Sequence, residues 1–435
     1  MSISPGGLIV PLSTAEAADS ARFGPKAANL AALAHAGLPT PGGYGVDAEA
    51  YRLQMRSLGL ESAARSVFGG ADPVARRSAL KIKLDLLQSP VDAAIAEPLE
   101  QAWSAVTSKS DSSSESGRES LGVVRSSALV EDRAGSSFAG QFESFLGLEN
   151  RTDYFTAIRS CWAALWATRA LRYMATHDLD PANTAMGLIV QPLVEATISG
   201  GGLSRTAGGD MLVSATWGLG SAIAQGEVVP DRYRLSRGGD VLEVAAGRKF
   251  HAVGCAHGTR SVARAEAQEP CLTTEQVREL GDHLRAAEDV VRGPAEIEWC
   301  LDNDGIKLLQ ARPLHVESAV SADEVWEQHP RLRGHPAGVG WGTGRACVVN
   351  CECELSRVNP GDILITQVAG PALAGVLPRV AGVVAELGGS TSHLASLARE
   401  RGVPTVLGVL DATGEIPEGS TVAVDGVAGI VRWMD

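Results

Sequence analysis

Apolar positions along the chain alternate between helical and strand spacing. In "KAANLAALAHAG" (residues 26–37) Leu30, Leu33 and Ala34 recur on one helical face, and Gly37 supplies a left-handed stop. The run "DYFTAIRSCWAALWATRALRYM" (153–174) predicts one longer helix. Its stripe of Ile158, Cys161, Trp162, Leu165 and Trp166 suits a core. Three stretches read as strands: "MGLIVQPLV" (186–194), "DMLVSATWG" (210–218) and "AEIEWCLD" (295–302), with "GIKLLQARPL" following as another. A serine-rich segment, residues 107–120, reads as a loop, and residues 315–336 read as a linker between compact regions. Beyond the linker come "GRACVVN", "GDILITQ", "VAGVVAEL", "PTVLGV", "STVAVDG" and "GIVRWM", all strand-like. Short strands with one or two helices predict a small α/β domain there. No internal repeat is visible.

Composition narrows the class. The 435 residues are 45% hydrophobic and 20% charged, as in globular chains of two to four domains. No apolar run approaches the ~18 residues of a membrane span. The start of the chain lacks the basic and apolar regions of a signal peptide. A formal net charge of -13 argues against a general nucleic-acid binder. The seven scattered cysteines point to a reducing cytoplasm rather than a disulfide framework. Cys347, Cys351 and Cys353 lie close together in "CVVNCEC" but lack paired spacing and a fourth ligand nearby. We read them as small residues on a strand and turn.

One stretch carries candidate chemistry: "GGSTSHLASLARERGVP" (388–404). A buried strand precedes it, Gly388 and Gly389 permit a sharp turn, and Ser390, Thr391 and Ser392 are cap-type residues. Leu394, Leu397 and Ala398 then take helical spacing until Gly402 and Pro404. His393 therefore falls in the first helical turn, where free N–H groups and the helix dipole favour negative charge. Such a site disfavours a protonated imidazole and favours a phosphorylated one. The spacing alone also fits a structural histidine bonded to a carbonyl.

The same stretch closely resembles the phosphohistidine segment of the phosphoenolpyruvate synthase, pyruvate phosphate dikinase and rifampin phosphotransferase group. Other segments are similar to that group in order: "FGPKAANL", "VVRSSALVEDRAGSSFAGQF", "SATWGLGSAIAQGEVVPDRY" and "AEIEWCLDNDGIKLLQARPL". The resemblance implies an α/β (α+β) chain. An ATP-grasp-like domain would span residues 1–316, with two subdomains meeting near 190–200. A hinge at 317–334 would lead to a swivelling β/β/α domain at 335–435. It implies that His393 carries the phosphoryl group, with Gly388, Gly389, Thr391 and Ser392 forming its loop. ATP would be bound by Lys26, Arg125, Gln191, Glu298, Gln310 and Arg312. Magnesium would be held by Glu298 and Gln310, with Glu296 a further candidate. Residues 136–141 would form a loop over the triphosphate. These types suit the chemistry: carboxylate and amide oxygens for a hard cation, cations for phosphates.

In the implied reaction ATP, held between the two subdomains, is attacked at its β-phosphorus by His393 and AMP leaves. Loss of the γ-phosphate to water or inorganic phosphate yields phosphohistidine. The domain then swings to an acceptor. The chain departs from the group's pattern in places, with Glu296 where an aspartate is usual. Pro25 stands where glycine is usual, and Gly201–Thr206 replaces a phenylalanine- and asparagine-containing segment. Only residues 313–334 separate Arg312 from the swivelling region, and a barrel needs about 200, so none of the group's large acceptor domains is expected between them. The expected acceptor is a small molecule or a separate acceptor-domain protein; neither nucleic acid nor membrane is expected as a partner. Two other readings stay open: an enzyme that phosphorylates an acceptor to activate it for condensation, and a degenerate nucleotide-binding regulatory subunit.

Overall fold

The computed structural model describes residues 7–68, 73–108, 121–131, 142, 144–254, 259–316 and 331–434. The expected loop at 136–141, most of the serine-rich segment and hinge residues 317–330 lie outside them. The chain divides into two compact units. One contains residues 1–195 and 307–310, the other residues 196–306 and 311–435.

The first unit is built on five strands: β1 (Ile9–Pro11), β2 (Tyr44–Val46), β3 (Gly122–Ala128), β4 (Ser144–Leu148) and β5 (Met186–Pro192). They form one sheet in the order β1-β2-β5-β3-β4. The helix Pro25–His35 buries Ala27, Leu30, Ala31 and Leu33. Pro25 occupies its first turn, where a fixed φ and a missing N–H cost nothing. The departure at Pro25 is thus compatible with the helix and starts it one residue before Lys26. The single helix expected at 153–174 is instead two, Arg151–Ala164 and Thr168–Thr176. The break lets Leu165 and Trp166 both be buried, and the Trp166 indole N–H donates to Tyr51 Oη at 2.9 Å. Trp162 and Trp166 are core residues, as the stripe predicts.

The second unit holds two sheets. The six-stranded one comprises β6 (Ile198–Leu203), β7 (Met211–Trp217), β8 (Asp231–Leu235), β9 (Val241–Ala245), β12 (Ala295–Asp302) and β13 (Gly305–Pro313), in the order β13-β12-β6-β7-β8-β9. A small ribbon, β10 (His251–Val253) with β11 (Thr259–Ser261), stands apart. Strand alternation gives the large sheet two unlike faces. Ile297 and Gly202 meet Leu284 of the helix Thr274–Val291 on one face. Glu296, Glu298, Gly201 and Ser199 lie on the other, with Glu298 directly across from Gly201.

The remaining strands are β14 (Arg331–Arg333), β15 (His335–Pro336), β16 (Trp341–Val349), β17 (Ile363–Thr366), β18 (Gly382–Ala385), β19 (Thr405–Leu407), β20 (Thr421–Asp425) and β21 (Ile430–Met434). They form an eight-stranded sheet whose centre, β16 to β19, is parallel. Ile363, Ile365, Val384, Val406, Val422, Val424 and Val431 fill its core. Cys351 and Cys353 are joined in a disulfide, while Cys347 is buried and free. The sequence pointed away from disulfides; a turn of 3-10 helix at 352–357 brings these two sulfurs together.

Within this unit, residues before, in and after the β8–β9 hairpin contact the region around the eight-stranded sheet. Gly388 N–H donates to Val228 O at 3.1 Å, Arg232 Nη1 to Gly334 O at 3.3 Å and Arg248 Nη2 to Glu386 O at 3.0 Å. A buried polar node anchors this platform. The Lys249 ammonium pairs with Asp231, both fully buried. Asp231 also accepts from Gly247 N (2.7 Å) and Cys271 N (2.8 Å). A buried carboxylate so surrounded is fully satisfied.

Candidate functional site

In the first unit the structure gathers three separated sequence segments. Gly24 has φ 79°, and a Cβ there would lie 2.2 Å from Ser127 O, so the turn before Lys26 sits against strand β3. Ser127 Oγ accepts from Ala27 N at 3.2 Å. Lys26 Nζ then reaches Glu131 Oε1 at 2.8 Å, and Glu131 Oε2 accepts from Ala128 N at 2.9 Å. Glu131 is fully buried. Arg125 donates through Nη1 to Leu309 O (2.7 Å) and through Nη2 to Gln310 Oε1 (2.8 Å). The two bonds fix the guanidinium plane and orient the Gln310 amide. Gln191, also buried, donates to Gly42 O at 2.8 Å and so ties down a loop.

In the second unit His393 begins the helix His393–Glu400 directly after the Gly388–Ser392 loop that leaves β18. Ser392 caps it, its side chain accepting from Ala395 N at 3.2 Å. Thr391 packs on the polar face of the six-stranded sheet: a Cβ on Gly201 would lie 2.6 Å from Thr391 Cβ. Gly201 belongs to the segment that departs from the expected pattern. Its lack of a side chain is what admits the loop.

The helix is seated by a buried ionic cluster. Glu296 Oε1 meets Arg312 Nη2 at 3.0 Å, and Glu296 Oε2 meets Arg399 Nη2 at 3.0 Å. Arg312 Nη2 donates to Ser396 Oγ at 2.5 Å. Arg399 Nη1 donates to Ser390 O at 2.6 Å. Burial pushes the Glu296 carboxyl up, but Arg312 and Arg399 outweigh it and hold the group below its ordinary range. Burial draws the Arg399 guanidinium down against the pull of Glu296. With two guanidinium groups on one carboxylate, the trio carries one net positive charge. Both Glu296 oxygens are engaged by guanidinium groups. Glu298, directly across from Gly201 and partly exposed, lies on the same face. Among the described residues no group of three or more His, Cys, Asp or Glu side chains could hold a metal.

Glu131, Ser396 and the docking role of Arg399 were not singled out from the sequence. The available signal was the spacing of His393, Ser396 and Arg399, three residues apart on one helical face. Among the described residues no helix is long and apolar enough to cross a membrane.

Comparison with known proteins bears on both units. Residues 20–331 match the family model described as pyruvate phosphate dikinase, AMP/ATP-binding domain. Residues 358–429 match that of the PEP-utilising enzyme, mobile domain. The phosphoenolpyruvate synthase of Pyrococcus furiosus is 31% identical over 94% of this chain and 56% of its own length. The probable phosphoenolpyruvate synthase of Methanothermobacter thermautotrophicus is 29% identical over 94% of this chain and 61% of its own. The phosphoenolpyruvate synthase of Synechocystis sp. is 29% identical over 90% of this chain and 52% of its own length. The chain thus spans little more than half the length of these relatives.

Proposed function

Because this chain belongs to the pyruvate phosphate dikinase AMP/ATP-binding family, we propose that it transfers a phosphoryl group from ATP to His393, releases AMP, and passes the group to an acceptor. The observation that carries the reading is the position of His393, at the first turn of a Ser392-capped helix behind a glycine loop, on the module matched as mobile. A neutral imidazole is the nucleophile, and the helix start favours it over imidazolium. Its ring nitrogen forms a bond to the β-phosphorus as the bond to the AMP oxygen breaks. The charge that develops on the pyrophosphoryl group is met by the helix N-terminus. Transfer of the γ-phosphoryl to water or inorganic phosphate leaves phosphohistidine.

Lys26, Arg125 and Arg312 are assigned to the nucleotide phosphates, with Gln191 and Gln310 as neighbouring polar contacts. Each cation has a protein partner in the structure, so binding exchanges Glu131, Gln310 and Glu296 contacts for phosphate contacts. Magnesium would be held by Glu298 and Gln310, and when bound it neutralises phosphate charge. Its remaining ligands would be phosphate oxygens and water, the usual arrangement for this ion. We assign the acceptor to a small molecule or a group presented by a separate protein, and the setting to the cytoplasm.

The test uses ATP labelled separately at the β and γ positions. The β label is expected on the protein as an acid-labile adduct, with AMP released. Equal labelling of a His393→Ala variant, or retention of γ label alone, refutes the assignment.

A further inference from the structure

We propose that Glu296 is a positioning residue for phosphorylation of His393: its two carboxylate oxygens, by holding Arg312 and Arg399 together, seat the His393 helix on strand β12. The inference rests on His393 being the phosphoryl carrier. His393, Ser396 and Arg399 share one face of the helix. The lower two of these residues are the ones that reach the large sheet. Arg399 has little freedom of its own. Its Nη1 is bound to Ser390 O at 2.6 Å, which ties the guanidinium to the loop before the helix. Its Nη2 is left to meet Glu296 Oε2 at 3.0 Å and Ser396 Oγ at 3.3 Å. Where Glu296 stands therefore sets where the helix and its histidine stand.

The second oxygen makes the seat compatible with nucleotide binding. Arg312 meets Glu296 Oε1 and Ser396 Oγ. A phosphate that draws Arg312 away leaves the Glu296–Arg399 pair intact, neutral and still bridging the two sheets. The packing of Thr391 on Gly201 is an independent contact of the same seat. Gly201 lies across from Glu298, two residues along β12 from Glu296. Steric and ionic contacts thus fix two points, one before the histidine and one after it. Glu296 is not a catalytic residue in this account, because it acts through Arg399.

Two substitutions separate seating from nucleotide binding. Glu296→Gln keeps the shape but offers one acceptor to two guanidinium groups and turns an N–H₂ toward the other. Glu296→Asp keeps the charge but is one methylene short of reaching both. With saturating β-labelled ATP in a single turnover, Glu296→Gln is expected to label His393 at least tenfold more slowly. Its Kd for ATP should not rise, because the Glu296–Arg312 pair that phosphate displaces is weakened rather than lost to the nucleotide. Hydrogen exchange of amides 395–400 should rise at least tenfold, and Glu296→Asp should fall between. Wild-type labelling and exchange in Glu296→Gln overturn the proposal. So does a labelling defect that disappears at saturating ATP, which would assign Glu296 to nucleotide or metal. Should Glu296→Gln not fold, Ser396→Ala removes only the bridging hydroxyl; faster exchange of the same amides supports the seat, and unchanged exchange overturns it. A wild-type protein that takes no label refutes the carrier reading, whereas the exchange comparison still decides the seat.

Discussion

Replacing Gly201 with alanine tests the loop contact in a way that separates docking from folding. The added Cβ would sit 2.6 Å from Thr391 Cβ, 2.8 Å from its Cγ2 and 2.9 Å from its Oγ1. Carbon atoms rest at about 3.5–4.0 Å, so the loop must retreat by roughly 1 Å. Overpacking of this kind costs about 1–3 kcal/mol. Since about 1.4 kcal/mol is a factor of ten, the docked population should fall by roughly 5- to 150-fold. The backbone pulls the other way. Gly201 has no positive φ, so alanine is tolerated in the strand and should stabilise it by about 0.5–1 kcal/mol. The expected signature is a melting temperature equal to or above wild type, with slower labelling of His393 and faster amide exchange in residues 393–400. Gly208→Ala is the control, because its Cβ would meet nothing closer than Thr206 Oγ1 at 3.7 Å. Unchanged exchange and labelling in Gly201→Ala would show that the loop does not rest on this strand.

Three further outcomes concern Lys249, His335 and Arg125. Lys249→Met leaves Asp231 without its buried cation and should cost about 3–5 kcal/mol in urea unfolding. Burial pushes the His335 imidazole down to about 3, with Arg232 and Arg248 adding to the effect and Glu243 opposing it. The unfolded chain therefore takes up a proton near pH 6.5 that the folded one refuses. Stability should fall as pH drops below that point, by up to about 1.4 kcal/mol per unit, and His335→Leu should remove this part of the slope. Arg125→Lys cannot make both the Leu309 and Gln310 bonds; it should lose about 1–3 kcal/mol in stability and weaken ATP binding measured by calorimetry.

Local pattern was enough to locate most elements. "AEIEWCLD" forms a strand over the very residues expected, since its alternation and flanks are unambiguous. The break in the helix expected at 153–174 was not legible, because its apolar stripe continues through it; Trp166, at the break, bonds to a tyrosine 115 positions away. The site shows the same division. His393, Lys26, Arg125, Glu298, Gln310 and Arg312 were legible as residue types in recognisable segments. Their present partners were not. Lys26 is held by Glu131, and Glu296 by an arginine 103 residues later in the chain. Only folding brings such residues within reach. The glycine at 201 stood out in the sequence only as a departure from the group's pattern and became intelligible once Thr391 was found against it.

The ionic trio of Glu296, Arg312 and Arg399 links the small domain to nucleotide occupancy. The three side chains carry two positive charges and one negative where the helix meets the sheet. Any anion that settles beside them is bound more tightly in the seated state than in the released one. By thermodynamic reciprocity, the same factor must favour seating once the anion is present. Spending the triphosphate would remove that preference and let the charged domain go. If the proposed transfer to His393 holds, the same charge would couple release of the helix to consumption of the nucleotide.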